Sequence, residues 1–492
     1  MSTTKDESTQ SAEAPTEPHS IYTTREKWFI VALIAPLSSN IYFPVIPRLT
    51  EVFHKSTELI NLTVTMYIIF QALAPMFWGT LADSWGRRPM FIACLVLLAI
   101  SCVGLALVPT NAYWLLLLLR CFQAAGSAST IALGAGVIGD ISEPRERGGF
   151  LGVYNVGPLV GPAIGPVMGG ALSDGLGWRA IFWFLCIASA TCALVLILFL
   201  PETLRAIVGN GSIIPGPISR PLLPLIGRGR QKALPQTNLA HPRQPFQNPL
   251  RLLLNVDILL LLLFNGVICA VFYGVNASVS TNFHTAYPQL SETQLGLCFL
   301  SIGGGMLLGS ATSGKLLDWD YQRVKRSLIA KSQQLENGNG HSIDVEGDSF
   351  PIEEARMRLM PWMTLLYIVT CAGYGWCLQQ RVHMAGPLVL MFIIGLLSIG
   401  IMNATQTLLL DLAPGQGSSV TACNNLVRCA LAAVMTAVIE LIVDAIGIGW
   451  TYVLLAGLCV VSAPLIWVVM FIGPRWRERR RMRAGGEEAS SG

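Results

Sequence analysis

Two arginines lie inside long apolar stretches of this sequence, where a full charge is unusual. Arg120 is followed by Gln123, and Arg428 comes one helical turn after the pair Asn424 and Asn425. A charged side chain in hydrocarbon is costly and usually faces a water-filled cavity or a partner group. Asn424 and Arg428 are four residues apart and so share one face of a helix. That face could bind an anionic or carbonyl-bearing ligand, or it could bond a neighbouring helix.

Acidic residues are absent from the centres of the same stretches. Glu440 and Asp444 lie near the end of one stretch, and Asp411 and Asp257 lie at the ends of two others. A cavity with two central arginines and no central carboxylate should favour anions or neutral molecules over cations. The sequence leaves any proton-carrying residue unidentified. The twelve cysteines lie in apolar stretches without a Cys-x-x-Cys pair, so neither a disulfide framework nor a metal site is predicted.

A short polar segment with a distinctive pattern joins two of the apolar stretches. It reads Gly79-Thr-Leu-Ala-Asp83-Ser-Trp-Gly86-Arg87-Arg88. The glycines permit a tight reversal of the chain and a close approach of helices. Asp83 can pair with the arginines and form a charge latch that is made and broken as parts of the molecule move. The arginines could also serve only to fix the orientation of the chain in a membrane.

Glycine recurs every four residues in a later stretch, at Gly157, Gly161, Gly165 and Gly169, with Pro162 among them. On a helix this spacing places the glycines on one face, so another helix can pack backbone to backbone. Proline inside such a helix bends it and frees carbonyl groups that neighbouring groups must bond. The segment is therefore predicted to be a helix-packing motif.

The elements that hold these residues are long apolar helices. Of the 492 residues, 52% are hydrophobic and only 13% are charged, whereas a soluble domain carries about 25% charge. A soluble domain cannot bury many apolar blocks of about 20 residues, but a bilayer can. Roughly twelve such blocks are present, six on each side of a polar stretch. Their approximate positions are 28–48, 60–81, 89–109, 113–139, 148–173, 180–200, 257–282, 293–316, 360–379, 384–410, 417–443 and 450–472. The predicted fold class is an all-α polytopic membrane protein with about twelve transmembrane helices in two six-helix halves.

Basic residues are distributed unequally between the connections. Those in the odd-numbered connections are only Arg48, Lys55, Arg179 and Arg381, whereas most of the others fall on the side of the two termini. Cytoplasmic loops carry an excess of Lys and Arg, so both termini are predicted to be cytoplasmic.

The predicted domain organisation follows from the spans and from the polar segments between them. The first residues lack the apolar core of a signal peptide. The expected parts are a disordered N-terminal tail (1–24), an N-terminal six-helix half (25–205), a cytoplasmic linker (206–256), a C-terminal six-helix half (257–473) with a mostly flexible cytoplasmic insertion (318–358), and a basic cytoplasmic C-terminal tail (474–492).

Together these motifs resemble the major facilitator superfamily, in its twelve-span drug:proton antiporter branch and its fungal quinidine-resistance-like form. The segment from Gly79 to Arg88 fills every major position of a superfamily signature. The glycine-rich span is similar to a motif of the antiporter branches. The resemblance implies the major facilitator fold and places Arg120 in the region that couples protons to substrate. It also implies that Asp83 and Arg87 control closure of the cytoplasmic side.

The resemblance further implies a secondary active transporter that exports small molecules by alternating access. A proton-coupled multidrug and toxin antiporter of the plasma membrane is the leading expectation. Relatives of the same architecture export small organic acids such as citrate and itaconate, or products of biosynthetic clusters, and a non-transporting membrane sensor is a further alternative. The spans lack convergent nucleophiles, metal ligands or a carboxylate pair, so an enzyme is not predicted. Expected partners are a small-molecule substrate, protons and the lipid bilayer, with no cofactor, nucleic acid or obligate protein partner.

Overall fold

The computed structural model describes residues 20–34, 40–143, 146–154, 156–224, 226, 249–336, 352–413 and 417–491. Regular structure in these ranges is helical, which confirms the predicted all-α fold class. Most of the predicted N-terminal tail, much of the linker and residues 337–351 of the predicted insertion lie outside the described residues.

The first half begins with a capped helix. The Thr23 hydroxyl accepts the amide of Glu26, and the Glu26 carboxylate accepts the amide of Thr23, which satisfies donors that the first turn leaves free. The helices of this half are α1 (Thr24–Leu33), α2 (Ile46–Phe53), α3 (Thr57–Trp85), α4 (Arg87–Leu107), α5 (Tyr113–Ile141), α6 (Arg147–Tyr154), α7 (Val156–Leu176), α8 (Arg179–Phe199) and the short α9 (Arg205–Val208).

The second half repeats this pattern of long apolar helices. Short 3-10 turns at Pro217–Ser219 and Pro249–Leu254 precede it. Its helices are α10 (Val256–Ala286), α11 (Glu292–Glu336), α12 (Ile352–Met357), α13 (Met360–Gln379), α14 (Ala385–Leu412), α15 (Gly417–Ile446) and α16 (Ile448–Ser491).

Ten of the described helices are long and apolar enough to cross a membrane, judged by length and composition. Helix α13 coincides with a predicted span at 360–379 but is not among the ten, because tyrosine, tryptophan, glycine and glutamine lower its hydropathy. It nevertheless packs against α14 and α16 within the bundle. The fold is therefore that of a polytopic helical membrane protein.

The first predicted span, 28–48, is not one continuous helix among the described residues. Helix α1 ends at Leu33, residues 40–45 form a 3-10 helix that contains Pro44, and α2 begins at Ile46. Proline lacks a backbone donor and fixes its own backbone angle, so Pro44 and Pro47, the latter in the first turn of α2, interrupt a continuous helix here.

The predicted insertion is also more ordered than its polar composition suggested. Helix α11 continues through residues 318–336, and α12 covers Ile352–Met357. A helical conformation of these residues was not predicted from the sequence. In the predicted C-terminal tail, α16 likewise continues without a break to Ser491.

The bundle has two ends that differ in the contacts they carry. At one end, the turn between α3 and α4 meets Glu202, and Arg477 of α16 pairs with Glu353. This end, which also receives the segment between the halves, is called the linker side. At the other end, the start of α11 contacts Asp174 of α7. This end is called the opposite side.

Candidate functional site

The turn between α3 and α4 is built around Gly86. Its backbone φ is 115°, a left-handed conformation that favours glycine, and this single residue ends α3 and starts α4. A Cβ at this position would also collide with the side chain of Glu202. Gly79 has open space around it, so no close helix approach explains it.

Arg87 is the centre of the charge cluster at this turn. Its Nη1 lies 2.7 Å from Asp83 Oδ1, and its Nε donates to Asp140 Oδ2 at 3.0 Å. The side chains of Arg87 and Asp140 are each 15% exposed, whereas that of Asp83 is 64% exposed. The sequence identified the pair with Asp83 but not the more buried partner on α5.

Glu202 is a second residue that sequence reasoning missed. Its carboxylate accepts the backbone amides of Arg87 at 2.9 Å and Arg88 at 3.3 Å, so it caps the first turn of α4 and complements the helix dipole. Arg88 points elsewhere, and its Nη2 donates to the carbonyl oxygen of Ile197 at 2.8 Å. Together these contacts tie α4 to α8 on the linker side.

Arg120 lies deep in the first half, where its side chain is only 3% exposed. Its guanidinium is held between the rings of Tyr42, 4.1 Å from the centroid, and Tyr67, 4.6 Å from the centroid. Cation–π contacts of this kind stabilise a desolvated charge. Its Nη1 donates to Gln123 Oε1 at 2.5 Å, while its buried Nε has no hydrogen-bond partner.

The cleft beside Arg120 lies between the two halves. Its walls come from the 3-10 helix at 40–45, from α3 and α5, and from Tyr273 of α10 in the second half. On α10, Tyr273 comes one helical turn after Cys269, which accepts a hydrogen bond from Arg428 Nε. The two arginines that the sequence singled out therefore border the same part of α10.

Side-chain amides link three helices of the second half. Asn265 of α10 donates to Asn424 Oδ1 at 2.8 Å, and Asn424 donates to Gln406 Oε1 of α14 at 2.5 Å. Gln406 in turn donates to Thr421 at 3.3 Å. Asn424 was predicted to line a cavity or to bond a neighbouring helix, and the structure shows the helix contact.

Arg428 packs against α10 one turn along the same face. Its Nε donates to Cys269 Sγ at 3.5 Å, and Asn425 accepts a weak hydrogen bond from the thiol of Cys429. Among the described residues no Asp or Glu oxygen lies within ion-pair distance of Arg428 or Arg120. Both guanidinium groups therefore keep an uncompensated positive charge.

The glycine-rich segment forms most of α7, which contains Gly157, Gly161, Pro162, Gly165 and Gly169. Gly169 meets the backbone of Ile41, and a Cβ there would collide with its carbonyl oxygen. The neighbouring Gly170 meets the backbone of Glu292 in the same way, and Pro166 and Ala163 meet glycines of α11. Helix α7 therefore packs backbone to backbone against the other half.

The described hydrogen bonds that join the halves lie towards the opposite side. Asp174 accepts the backbone amide of Thr293 at 2.7 Å. Ser280 donates to the carbonyl oxygen of Phe43 at 2.9 Å. These contacts close the region between the halves on the opposite side.

Comparison with known families matches residues 28–436 to the Major Facilitator Superfamily. "Citrate exporter 1" of Aspergillus niger is 38% identical over 491 residues, which cover 96% of this chain and 91% of the relative. "MFS antiporter QDR1" of Candida albicans is 32% identical over 455 residues, which cover 90% of this chain and 88% of the relative.

Solved structures show the same fold. A bacterial homolog to the human lysosomal transporter Spinster, in an inward-facing and unoccupied conformation, matches with a TM-score of 0.62 and 14% identity, over 92% of this chain and 99% of that chain. A D-xylose-proton symporter matches with a TM-score of 0.60 and 14% identity, over 90% of this chain and 96% of that chain. At this identity the likeness describes the fold alone.

Proposed function

Because the chain belongs to the Major Facilitator Superfamily of membrane transporters, we propose that it exports small organic anions by alternating access. One observation carries this proposal. Arg120 and Arg428 border the same part of α10, and among the described residues neither has a carboxylate partner. A carboxylate-bearing substrate would supply the missing counter-charge.

The chemistry of the two arginines favours an anion with more than one carboxylate. A guanidinium presents several donors in a fixed fork that matches a carboxylate, and such charge-assisted hydrogen bonds are strong. In a low-dielectric membrane interior an uncompensated cation attracts anions more strongly than it would in water. The similarity to a citrate exporter points in the same direction.

A multidrug antiporter is the second candidate, and the similarity to an antiporter of Candida albicans favours it. Cationic drugs commonly bind on aromatic ring faces. Here, however, the guanidinium of Arg120 already lies over the rings of Tyr42 and Tyr67. A cationic drug would have to displace this charge or bind beside it, so the geometry favours the anion.

For the membrane arrangement, we propose that the linker side faces the cytoplasm, in the plasma membrane. The linker side carries Arg87, Arg88, Arg356 and Arg477, as expected of a cytoplasmic face. We further propose two six-helix halves, at 25–205 and 257–473, and export driven by proton exchange. The likeness of α7 to an antiporter motif supports export of the substrate in exchange for protons.

The test is transport by the purified protein in proteoliposomes. Labelled citrate and a lipophilic cationic dye are compared, with and without an imposed pH gradient. We expect gradient-dependent movement of citrate. Arg120→Gln and Arg428→Gln should each lower the initial rate by about tenfold or more, because a charge-assisted hydrogen bond contributes about 1.5–3 kcal/mol.

Arg48→Gln is the matched control, since Arg48 forms an exposed pair with Glu51 on the opposite side. Its rate should equal that of the unmodified protein. Movement of the dye without citrate would support the multidrug antiporter instead. No movement of either compound beyond that in empty vesicles would favour a sensor.

A further inference from the structure

A buried carboxyl group joins the two halves near the opposite side. Glu440 of α15 is 3% exposed, and its Oε1 accepts a hydrogen bond from the side-chain amide of Asn61 of α3 at 3.4 Å. Asn61 itself is 0% exposed. From the sequence alone Glu440 was placed only near the end of an apolar stretch. In the structure the other half of the molecule covers it.

The hydrogen bonds that the side chain of Asn61 makes and lacks indicate the protonation state of Glu440. The oxygen Oδ1 of Asn61 is buried and has no hydrogen-bond donor in the structure. An ionised carboxylate can only accept hydrogen bonds, whereas a neutral carboxyl group also carries one O–H donor. A proton on Glu440 would let it donate to Asn61 Oδ1 while accepting from Asn61 Nδ2. The amide and the acid would then form a mutual pair with both of its hydrogen bonds made.

The charged and titratable groups around Glu440 also favour the neutral form. Glu58 of α3 and Asp444, one turn away on α15, repel the charged form, and Tyr452 of α16 and the hydroxyl of Thr281 on α10 are its other polar neighbours. No Lys, Arg or His nitrogen among the described residues lies within 4 Å of it. A buried charge without a counter-ion is costly, and two nearby carboxyl groups increase that cost.

We propose that Glu440 is a proton-binding site whose occupation closes the transporter on the opposite side. When the halves separate there, water reaches the carboxyl group, the proton passes to that water, and the resulting carboxylate lies near Glu58 and Asp444. When the halves close, the carboxylate takes one proton back from the same compartment and pairs with Asn61. Closure on the opposite side therefore binds one proton, and opening releases it.

This mechanism rests on the alternating access of the proposed function but not on the identity of its substrate. Acid in the compartment on the opposite side favours closure there. The conformation that is closed on the opposite side is the one able to load substrate from the linker side. Acid outside would therefore return the transporter to its loading conformation.

The experiment measures opening on the opposite side directly. Ser280 is 0% exposed and contacts Phe43 across the halves, so the Ser280→Cys thiol reacts only when this side opens. The full chain in oriented proteoliposomes is treated with a membrane-impermeant maleimide from the opposite side, between pH 5 and 8. Peptide mass spectrometry then reports the labelling at position 280. A Lys55→Cys variant, exposed on the same side, corrects for the effect of pH on thiol reactivity.

With Glu440 present, the corrected labelling should rise with pH, by up to about tenfold per unit, because opening releases one proton. Glu440→Gln keeps the shape of the side chain but cannot titrate, so its labelling should be low and independent of pH. Glu440→Asp keeps a titratable group and should retain the pH dependence. Glu51→Gln removes an exposed carboxyl group on the same side, outside this site, and is the control that should retain it as well.

A pH-independent but measurable labelling of the parent protein would overturn the proton site alone. Retention of the pH dependence in Glu440→Gln, or its loss in Glu51→Gln, would do the same. No labelling at any pH would overturn alternating access together with this site. Because no substrate is added, failure of citrate transport leaves each of these outcomes interpretable.

Discussion

At the scale of single residues, the cluster on the linker side is organised around Arg87 and not around Asp83. Arg87 reaches Asp83 along its own turn and Asp140 on α5, and these two acidic groups differ greatly in exposure. An exposed ion pair contributes little because water screens it and the side chains lose freedom. A largely buried pair between two helices contributes more, since its loss leaves a desolvated charge without its partner. The contact with Asp140 should therefore hold the turn in place.

We expect Asp140→Asn to be more harmful than Asp83→Asn. Loss of the charge at Asp140 should lower the free energy of unfolding by about 1.5–3 kcal/mol, because a hydrogen bond to a charged group contributes that amount. Loss of the charge at Asp83 should cost less than about 1 kcal/mol. Thermal unfolding in detergent, together with transport rates, measures both effects. Equal effects of the two substitutions would show that the exposed pair is as important as the shielded one.

At the scale of elements, the contact between α7 and α11 determines how closely the halves approach. Glycines occur on both helices where they meet, and at Gly296 a Cβ would collide with the carbonyl oxygen of Pro166. Glycine and other small residues let membrane helices pack backbone to backbone, where dispersion forces and weak hydrogen bonds add up. The glycine-rich pattern was recognised in the sequence of α7. Its partner helix, which carries a run of three glycines at 303–305 and single glycines on either side of it, was not.

Gly303→Ala and Gly304→Ala provide a matched test of this contact. A Cβ at Gly303 would enter the space of Ala163 in the other half, whose backbone nitrogen would lie 2.8 Å away. A Cβ at Gly304 would meet only the ring of Phe392, at 3.7 Å. Overpacking typically costs about 1–3 kcal/mol, so Gly303→Ala should shift the equilibrium towards opening on the opposite side by roughly fivefold or more. Gly304→Ala should not.

Maleimide labelling at position 280, in the Ser280→Cys background, measures this shift. Higher labelling for Gly303→Ala than for Gly304→Ala supports the contact as the limit on approach. Equal labelling of the two variants would show that a Cβ at position 303 does not weaken the contact between the halves.

At the scale of the whole molecule, the structure is closed on the opposite side. The contacts from Asp174 to Thr293 and from Ser280 to Phe43 join the halves there. Transport by alternating access requires these contacts to break once in each cycle. A covalent bond at the same place should therefore stop turnover without affecting the cavity.

The pair Asp174→Cys and Thr293→Cys should stop transport when oxidised. The side chains of Asp174 and Thr293 are hydrogen-bonded across the halves, so two thiols there are close enough to be joined. All twelve native cysteines are free, and each is buried or half-buried. Oxidation should reduce citrate transport to the level of empty vesicles, and a reductant should restore it. Each single substitution, treated in the same way, is the control, and unimpaired transport by the oxidised double variant would contradict closure at this point.

The positions of most helices could be predicted from the sequence, because the hydropathy of a span depends only on the residues within it. The predicted spans at 89–109 and 180–200 agree closely with α4 and α8. The helix through 318–336 was missed, because its polar composition gives no hydropathy signal although it continues an apolar helix.

For the site, the sequence could show that Arg120 is a charge in an apolar span. It could not show the aromatic rings that hold Arg120, because Tyr42 and Tyr67 come from other segments of the chain. The burial of Glu440 was not predicted, for the same physical reason. Its burial depends on Asn61 of the other half, and the sequence alone does not specify contacts between the halves.

Helix α11 extends well beyond the apolar bundle. Its 45 residues give a length of about 68 Å at ~1.5 Å per residue, more than twice the hydrocarbon thickness of about 30 Å. Such a continuous rod acts as a lever arm, because a rotation of the second half displaces its far end, at Glu336, in proportion to the distance from the pivot. Small movements at the contacts between the halves on the opposite side would thus become large movements on the linker side. A molecule that bound this end of α11 would slow the transport cycle without entering the cavity.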